Sequence, residues 1–117
     1  MSAFDETCLF CRVVAGEIPS DKLHESDSIL AFRDVDPKAP THVLLIPKEH
    51  IRDLTEVTDD HGNLLADLVQ AAAHLADTEG LERGWRLVAN VGPDAGQSVL
   101  HLHFHLLGGR QLGWPPG

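Results

Sequence analysis

Three histidines stand at every second position, His101, His103 and His105, in the segment SVLHLHFHLLGG that spans residues 98–109. Only apolar residues lie between them. Successive side chains of a strand point to opposite faces. The pattern therefore predicts a strand with Leu100, Leu102, Phe104 and Leu106 in the core and the three imidazoles together on the other face. Lys, Glu or Thr would serve solubility; three imidazoles point to chemistry. Geometry opposes one zinc ion held by all three. The outer pair is roughly 13 Å apart along a strand, whereas nitrogens bound at about 2.0 Å to one zinc lie ~3.3 Å from each other. Two alternate histidines can share an ion, so at least one of the three needs another task. Catalysis by imidazole itself is the other reading. A neutral ring is a nucleophile and general base near neutral pH, and its neighbours can donate hydrogen bonds to a developing oxyanion. Phosphorus is a suitable electrophile for such a face.

The flanks extend this reading. Residues 92–98, GPDAGQS, place Gly92, Gly96, Gln97 and Ser98 just before the histidines. Such a loop can present backbone N–H groups and a hydroxyl to phosphate, although a glycine-rich loop alone is often just a turn. Cys8 and Cys11 form a CxxC pair. A structural disulfide does not suit a reducing cytosol. Half of a metal site, a redox pair and two small buried hydrophobes all stay open for the two thiols.

These groups need a frame. The 117 residues suffice for one domain, 1–117, with a modest core. The formal net charge of -9 argues against a nucleic-acid partner, since phosphate backbones are met by clustered Lys and Arg. No run of apolar residues is long enough for a membrane span. The acidic opening MSAFDETCLF lacks the features of a signal peptide, so a cytoplasmic protein is expected. CRVVAGEIP predicts a short helix ended by Gly16 and Pro19. SILAFRDVDP, THVLLIP, WRLVANV and SVLHLHFHLLG predict strands. The longest helix lies between capping groups at Thr58, Asp59 and Asp60 and a stop at Gly80, with Leu64, Leu65, Leu68, Val69, Ala72, Leu75 and Ala76 as its apolar stripe. Strands and helices mix without strict alternation, so the expected class is α+β with a mostly antiparallel sheet.

HLHFHLLGG matches the His-x-His-x-His-x-x motif of the histidine-triad (HIT) superfamily. DVDPKAPTHVLLIPKEHI, NVGPDAGQSVLHLHFHLLGGRQ and the closing WPPG resemble its nucleotide-binding phosphoramidase branch. The likeness runs from about Cys8 to Gly117. It implies a five-stranded antiparallel sheet with one long and one short helix, the helices on one side, and a homodimer that continues the sheet through the long helix and the WRLVANV strand. It implies a purine nucleoside monophosphate ligand, AMP or GMP, and hydrolysis of nucleoside 5'-phosphoramidates or related adenylates. His103 would form a covalent nucleotidyl-histidine. His105 would donate to phosphate oxygens, His42 would orient the site, and Ser98 would assist at the phosphate or leaving group. Asp34 would accept from the ribose hydroxyls, a role a carboxylate can fill for two hydroxyls at once; the plain alternative is a turn residue at a strand end. Ile18, Phe32 and Val35 would enclose the base. Asn90, Gly96 and Gln97 would lie at the phosphate, and Trp114 would reach the other subunit's site. Many bacterial relatives carry a structural zinc, and the matching positions here are Cys8, Cys11, His50 and His101, a closed Cys2His2 set. No organic cofactor is implied. His24, His61 and His74 match no family site and are expected at the surface.

Two further readings stay beside this one. The chain could be a nucleotide-binding regulatory or interaction module with vestigial hydrolase activity. It could also be a zinc-dependent hydrolase that uses two of the alternate histidines as metal ligands.

Overall fold

The structure is a computed structural model that describes residues 5–117. The first part of the acidic opening, residues 1–4, lies outside the described residues. A short helix, α1 (Leu9–Val14), leads into β1 (Lys22–Glu25), β2 (Ile29–Arg33) and β3 (Thr41–Pro47). The long helix α2 (Gly62–Thr78), β4 (Trp85–Ala89) and β5 (Phe104–Gly108) follow. The strands form one five-stranded sheet in the order β1-β2-β3-β5-β4, and every neighbouring pair is antiparallel. This is the expected α+β class. The first strand, KLHE, is too short and polar to have stood out in the sequence.

The ends of α2 follow from local chemistry. Thr58 opens a turn of 3-10 helix, and its N–H donates to His61 Nδ1 at 2.9 Å, so His61 satisfies a helix-start donor. Gly80, at φ 73°, takes the left-handed conformation that ends the helix at little cost. The expected stripe holds with one exception. Leu68, Ala72, Leu75 and Ala76 are buried, Leu64 and Leu65 pack against them, and Val69 is 47% exposed.

The sheet is covered on both faces, and this corrects the expectation of helices on one side. Ile29, Ala31, Val43, Leu45 and Leu106 pack under α2. The alternate residues Leu30, Phe32, Leu44 and Ile46 pack under α1, against Phe10 and Val13. Every residue of β3 is buried as a result, which is how a central strand between two layers reads.

The histidine segment also departs from expectation. Regular pairing begins only at Phe104; residues 99–103 run up to it without ladder partners, held by the Leu102 N–H on the Ile51 carbonyl at 2.6 Å. Leu102 and Leu106 are buried, but Leu100 is 60% exposed and does not join the core. The side that carries the imidazoles lies against α1, and His101 and His103 are buried there.

Leu45 is fully buried at the centre of the sheet. Leu45→Ala should cost about 2–5 kcal/mol of unfolding free energy in urea titration, because a central cavity relaxes poorly.

Candidate functional site

Strand register places two of the histidines. His42 lies opposite Leu107 and Leu44 opposite His105, so both imidazoles project from the face that α1 partly covers. His42 Nε2 is 2.9 Å from His105 Nδ1. The His103 ring follows, its centroid 5.0 Å from that of His105. Phe10 of α1 meets His103 edge to face at 5.0 Å. A residue inside the CxxC spacing thus forms a wall of the site. An apolar residue gives no sequence signal for such a role.

Main-chain groups decide which nitrogen of each ring carries the proton. His103 Nδ1 lies 2.7 Å from the carbonyl oxygen of His101. A carbonyl can only accept, so Nδ1 carries the hydrogen and Nε2 keeps a lone pair. The Lys38 N–H lies 3.0 Å from His42 Nδ1. An amide can only donate, so His42 carries its hydrogen on Nε2 and directs it to His105 Nδ1. His105 is thereby left with its hydrogen on Nε2. Two neighbouring rings of the same type present opposite functions, a free base at His103 and an N–H donor at His105.

Burial holds these rings neutral. It depresses the pKa of His42 and His103, with Asp34 opposing the shift in both. His105 is lowered to about 4, first by burial and then by His103 and His42. Asp34 ends β2 in a turn, where its Oδ1 accepts the Asp36 N–H at 2.8 Å. Its Oδ2 stands 3.4 Å from His42 Nε2. The turn role and a place beside the imidazoles are therefore both realised in one side chain.

His101 belongs to a different cluster. Its Nδ1 lies 3.2 Å from Cys8 Sγ, 3.6 Å from Cys11 Sγ and 3.3 Å from His50 Nδ1. Cys11 Sγ is 3.2 Å from His50 Nδ1. A tetrahedral ion with bonds of about 2.0–2.3 Å sets its donors roughly 3.3–3.8 Å apart. The tautomer agrees as well. His101 Nε2 donates to the Pro47 carbonyl at 2.8 Å, which turns the Nδ1 lone pair into the cluster. The Cys8 sulfur accepts the Cys11 N–H at 3.2 Å and so caps α1 while facing the other donors. Burial pushes the Cys11 thiol up to about 11, and a bound cation would draw that proton off. Four converging soft and borderline donors fit zinc. Asp34, His42 and His105 also lie close enough to surround an ion. Their tautomers do not suit one: a metal on His42 Nε2 would force a hydrogen onto Nδ1, facing the Lys38 N–H donor.

The chain matches the HIT domain family model over residues 15–112. It belongs to the HIT family. It is 55% identical to the solved HIT family hydrolase of Legionella pneumophila, with a TM-score of 0.92 over 94% of this chain and 99% of the other. It is 46% identical to the 14 kDa zinc-binding protein of Zea mays, covering 97% of this chain and 90% of that one. The adenylylsulfatase HINT1 of Arabidopsis thaliana is 44% identical over 97% of this chain and 78% of its own. In this HIT chain the matched region begins after Cys8 and Cys11, so the four-donor cluster ties an outlying segment to the family core.

The remaining expected site residues are spread around these two clusters. Phe32 is buried 5.7 Å from Phe10, and Ile18 packs on the same group. Val35 is 98% exposed and encloses nothing within the single chain; Trp114 is 83% exposed. Asn90 is half-buried just beyond β4. Gly96 ends a 3-10 turn at φ 89°, a conformation that favours glycine. Gln97 is committed to shaping its loop. Its Nε2 donates to the carbonyls of Arg52 and Val99, and its Oε1 accepts the Gly92 N–H. Ser98 is exposed and lines a cleft of about 610 Å³ that also includes Cys8, His50 and Arg52. His74 is exposed and His24 half-buried, both outside the two clusters. Two main-chain groups on which the site turns, the Lys38 amide and the Pro47 carbonyl, have no residue-type signature at all.

The depressed imidazoles carry a stability consequence. Between about 4 and the ordinary value of 6.5 the unfolded chain holds the His105 proton and the folded chain does not. Stability from this group is complete above that window and is lost as pH falls through it. The melting temperature should drop on acidification from about pH 7 to about pH 5, and the drop should be shallower in His105→Asn.

Proposed function

We propose that the protein hydrolyses nucleoside 5'-phosphoramidates, or related adenylates, through a covalent intermediate on His103. The observation that carries this reading is the pairing of tautomers: His103 held on the His101 carbonyl with Nε2 free, beside His105 with Nε2–H available. The His103 lone pair attacks the α-phosphorus. The bond from phosphorus to the leaving amine breaks, and the amine departs with a proton taken from solvent water, which recovers one from the water that attacks in the second step. His105 donates its Nε2 hydrogen to a phosphoryl oxygen, where negative charge grows in the transition state. Water then attacks phosphorus, the phosphorus–Nε2 bond breaks, and AMP or GMP is released. Asp34 receives the ribose hydroxyls, Ile18, Phe32 and Val35 receive the base, and Ser98, Asn90 and Gly96 line the phosphate approach. Gln97 acts by holding that loop in shape.

The same reading covers the assembly. β4 is an edge strand with Trp85 40% exposed, and Val69 of α2 is also open. A second copy pairing along this edge would extend the sheet and bring Trp114 to the neighbouring site. Each chain is then one domain over residues 1–117, acting in the cytoplasm, where thiols stay reduced.

Zinc is proposed at Cys8, Cys11, His50 and His101. Bound there, it supplies a cross-link between α1, the end of β3 and the approach to β5. A closed four-donor site leaves no open position for water.

His103→Ala should reduce turnover of an AMP-amine substrate by at least about a thousandfold, with AMP affinity within a few fold of wild type. Turnover retained in that variant would reject the mechanism. A wild-type protein that binds AMP but hydrolyses no AMP-amine or acyl-adenylate would instead be a binding module. Chelation should lower the melting temperature, and zinc should restore it. The zinc-dependent hydrolase reading requires activity to vanish on chelation before any unfolding.

A further inference from the structure

The Lys38 amide fixes the tautomer of His42, and through it that of His105, yet Lys38 sits on an exposed turn. Pro37 and Pro40 flank that turn and have no N–H to anchor it. Its first part is held locally, by the Asp36 N–H on Asp34 Oδ1 and by buried Ala39, and the Lys38 carbonyl is held from the far end of β5. Gly109 adopts φ 92°, and a Cβ there would fall 2.8 Å from Pro40 Cβ. With no side chain at 109, the backbone lies flush on Pro40, and the next residue reaches over the turn. Arg110 Nη2 donates to the Lys38 carbonyl at 2.9 Å, and its Nη1 donates to the Gln111 carbonyl at 3.0 Å. Lys38 is thus gripped on both sides, its carbonyl by Arg110 and its amide by His42.

We propose that Arg110 is a positioning residue for this site: by holding the Lys38 carbonyl it aims the Lys38 amide at His42 and so sets the proton on Nε2 of both His42 and His105. Arg110 itself touches no reacting atom. Its effect travels through one residue of main chain and two imidazoles. Without it the Lys38 carbonyl loses its side-chain partner, the Lys38 N–H turns from His42 more readily, and His42 and His105 can exchange to the other tautomer. His105 would then present a lone pair, not a donor, toward the phosphate. For its kinetic consequence this rests on the hydrolase reading above; for the tautomers it rests on geometry alone.

The test compares wild type, Arg110→Ala and Arg110→Lys, each as the full-length chain. Nitrogen NMR of the labelled imidazoles reads directly which ring nitrogen of His42 and His105 carries hydrogen. Wild type should show both on Nε2. Arg110→Ala should show a mixture, while Arg110→Lys, which keeps one donor for the Lys38 carbonyl, should return toward wild type. In turnover of an AMP-amine, kcat should fall on the order of tenfold in Arg110→Ala, with KM little changed. The melting temperature should stay close to wild type, since the residue is exposed. Unaltered tautomers in Arg110→Ala would overturn the proposal, whatever the kinetics. So would a loss of activity confined to KM, or one that Arg110→Lys shares in full. If wild type hydrolyses no nucleotide, the hydrolase reading falls, and the NMR comparison still judges Arg110.

Discussion

A main-chain carbonyl offers only lone pairs and a main-chain amide only a hydrogen. Imidazole has no such fixed polarity; in its neutral form either nitrogen can hold the proton, at similar cost. The candidate site of this HIT protein is ordered by how the first kind of group disciplines the second. The His101 carbonyl turns His103 into a base aimed through Nε2. The Lys38 amide, acting through His42, turns His105 into a donor. The Pro47 carbonyl turns the Nδ1 lone pair of His101 toward two thiols and His50. One residue type thus presents a lone pair or a hydrogen at a given place, and backbone geometry decides which.

That distribution requires burial. In water each ring would exchange tautomers and take up protons freely near neutral pH. Under α1 and between strands the charged form is disfavoured, so the rings stay neutral. The covering layer is itself small. A six-residue helix brings Phe10 against His103 and carries two sulfur donors at its start. Such a helix has too few turns to be stable alone. Its place on the sheet comes from the packing of Phe10 and Val13 on Phe32, Leu44 and Ile46, together with the donor cluster.

Much of this was legible in the sequence and some was not. The short apolar run of THVLLIP between Pro40 and Pro47, and the alternation in LHFHLL, marked the central strands. The α2 stripe was equally plain. KLHE was not, since four polar or half-buried residues on a sheet edge carry little pattern. The alternation rule also misplaced Leu100, because the chain reaches the ladder only at Phe104. The rule reports which residues share a face, not what lies against that face. The assignment of His50 and His101 to a metal set, and of His42, His103 and His105 to catalysis, followed from family likeness; His101 lies beside Cys8 and His50, and His42 beside His105. The main-chain partners that fix each ring were beyond reach, since every residue type has the same amide and carbonyl.

The donor cluster has a kinetic side. It joins residue 8 to residue 101, a separation of 93 positions, and residue 11 to residue 50. Contacts so distant along the chain tend to slow folding, since the loops between them must close before any reward is collected. The cost of closure grows only with the logarithm of loop length. The four donors converge only when β3 and β5 are in register, so the cluster contributes to the folded molecule and not to the unfolded ensemble. The histidine segment is thereby tied to the start of the chain only in a molecule whose sheet already exists to receive it.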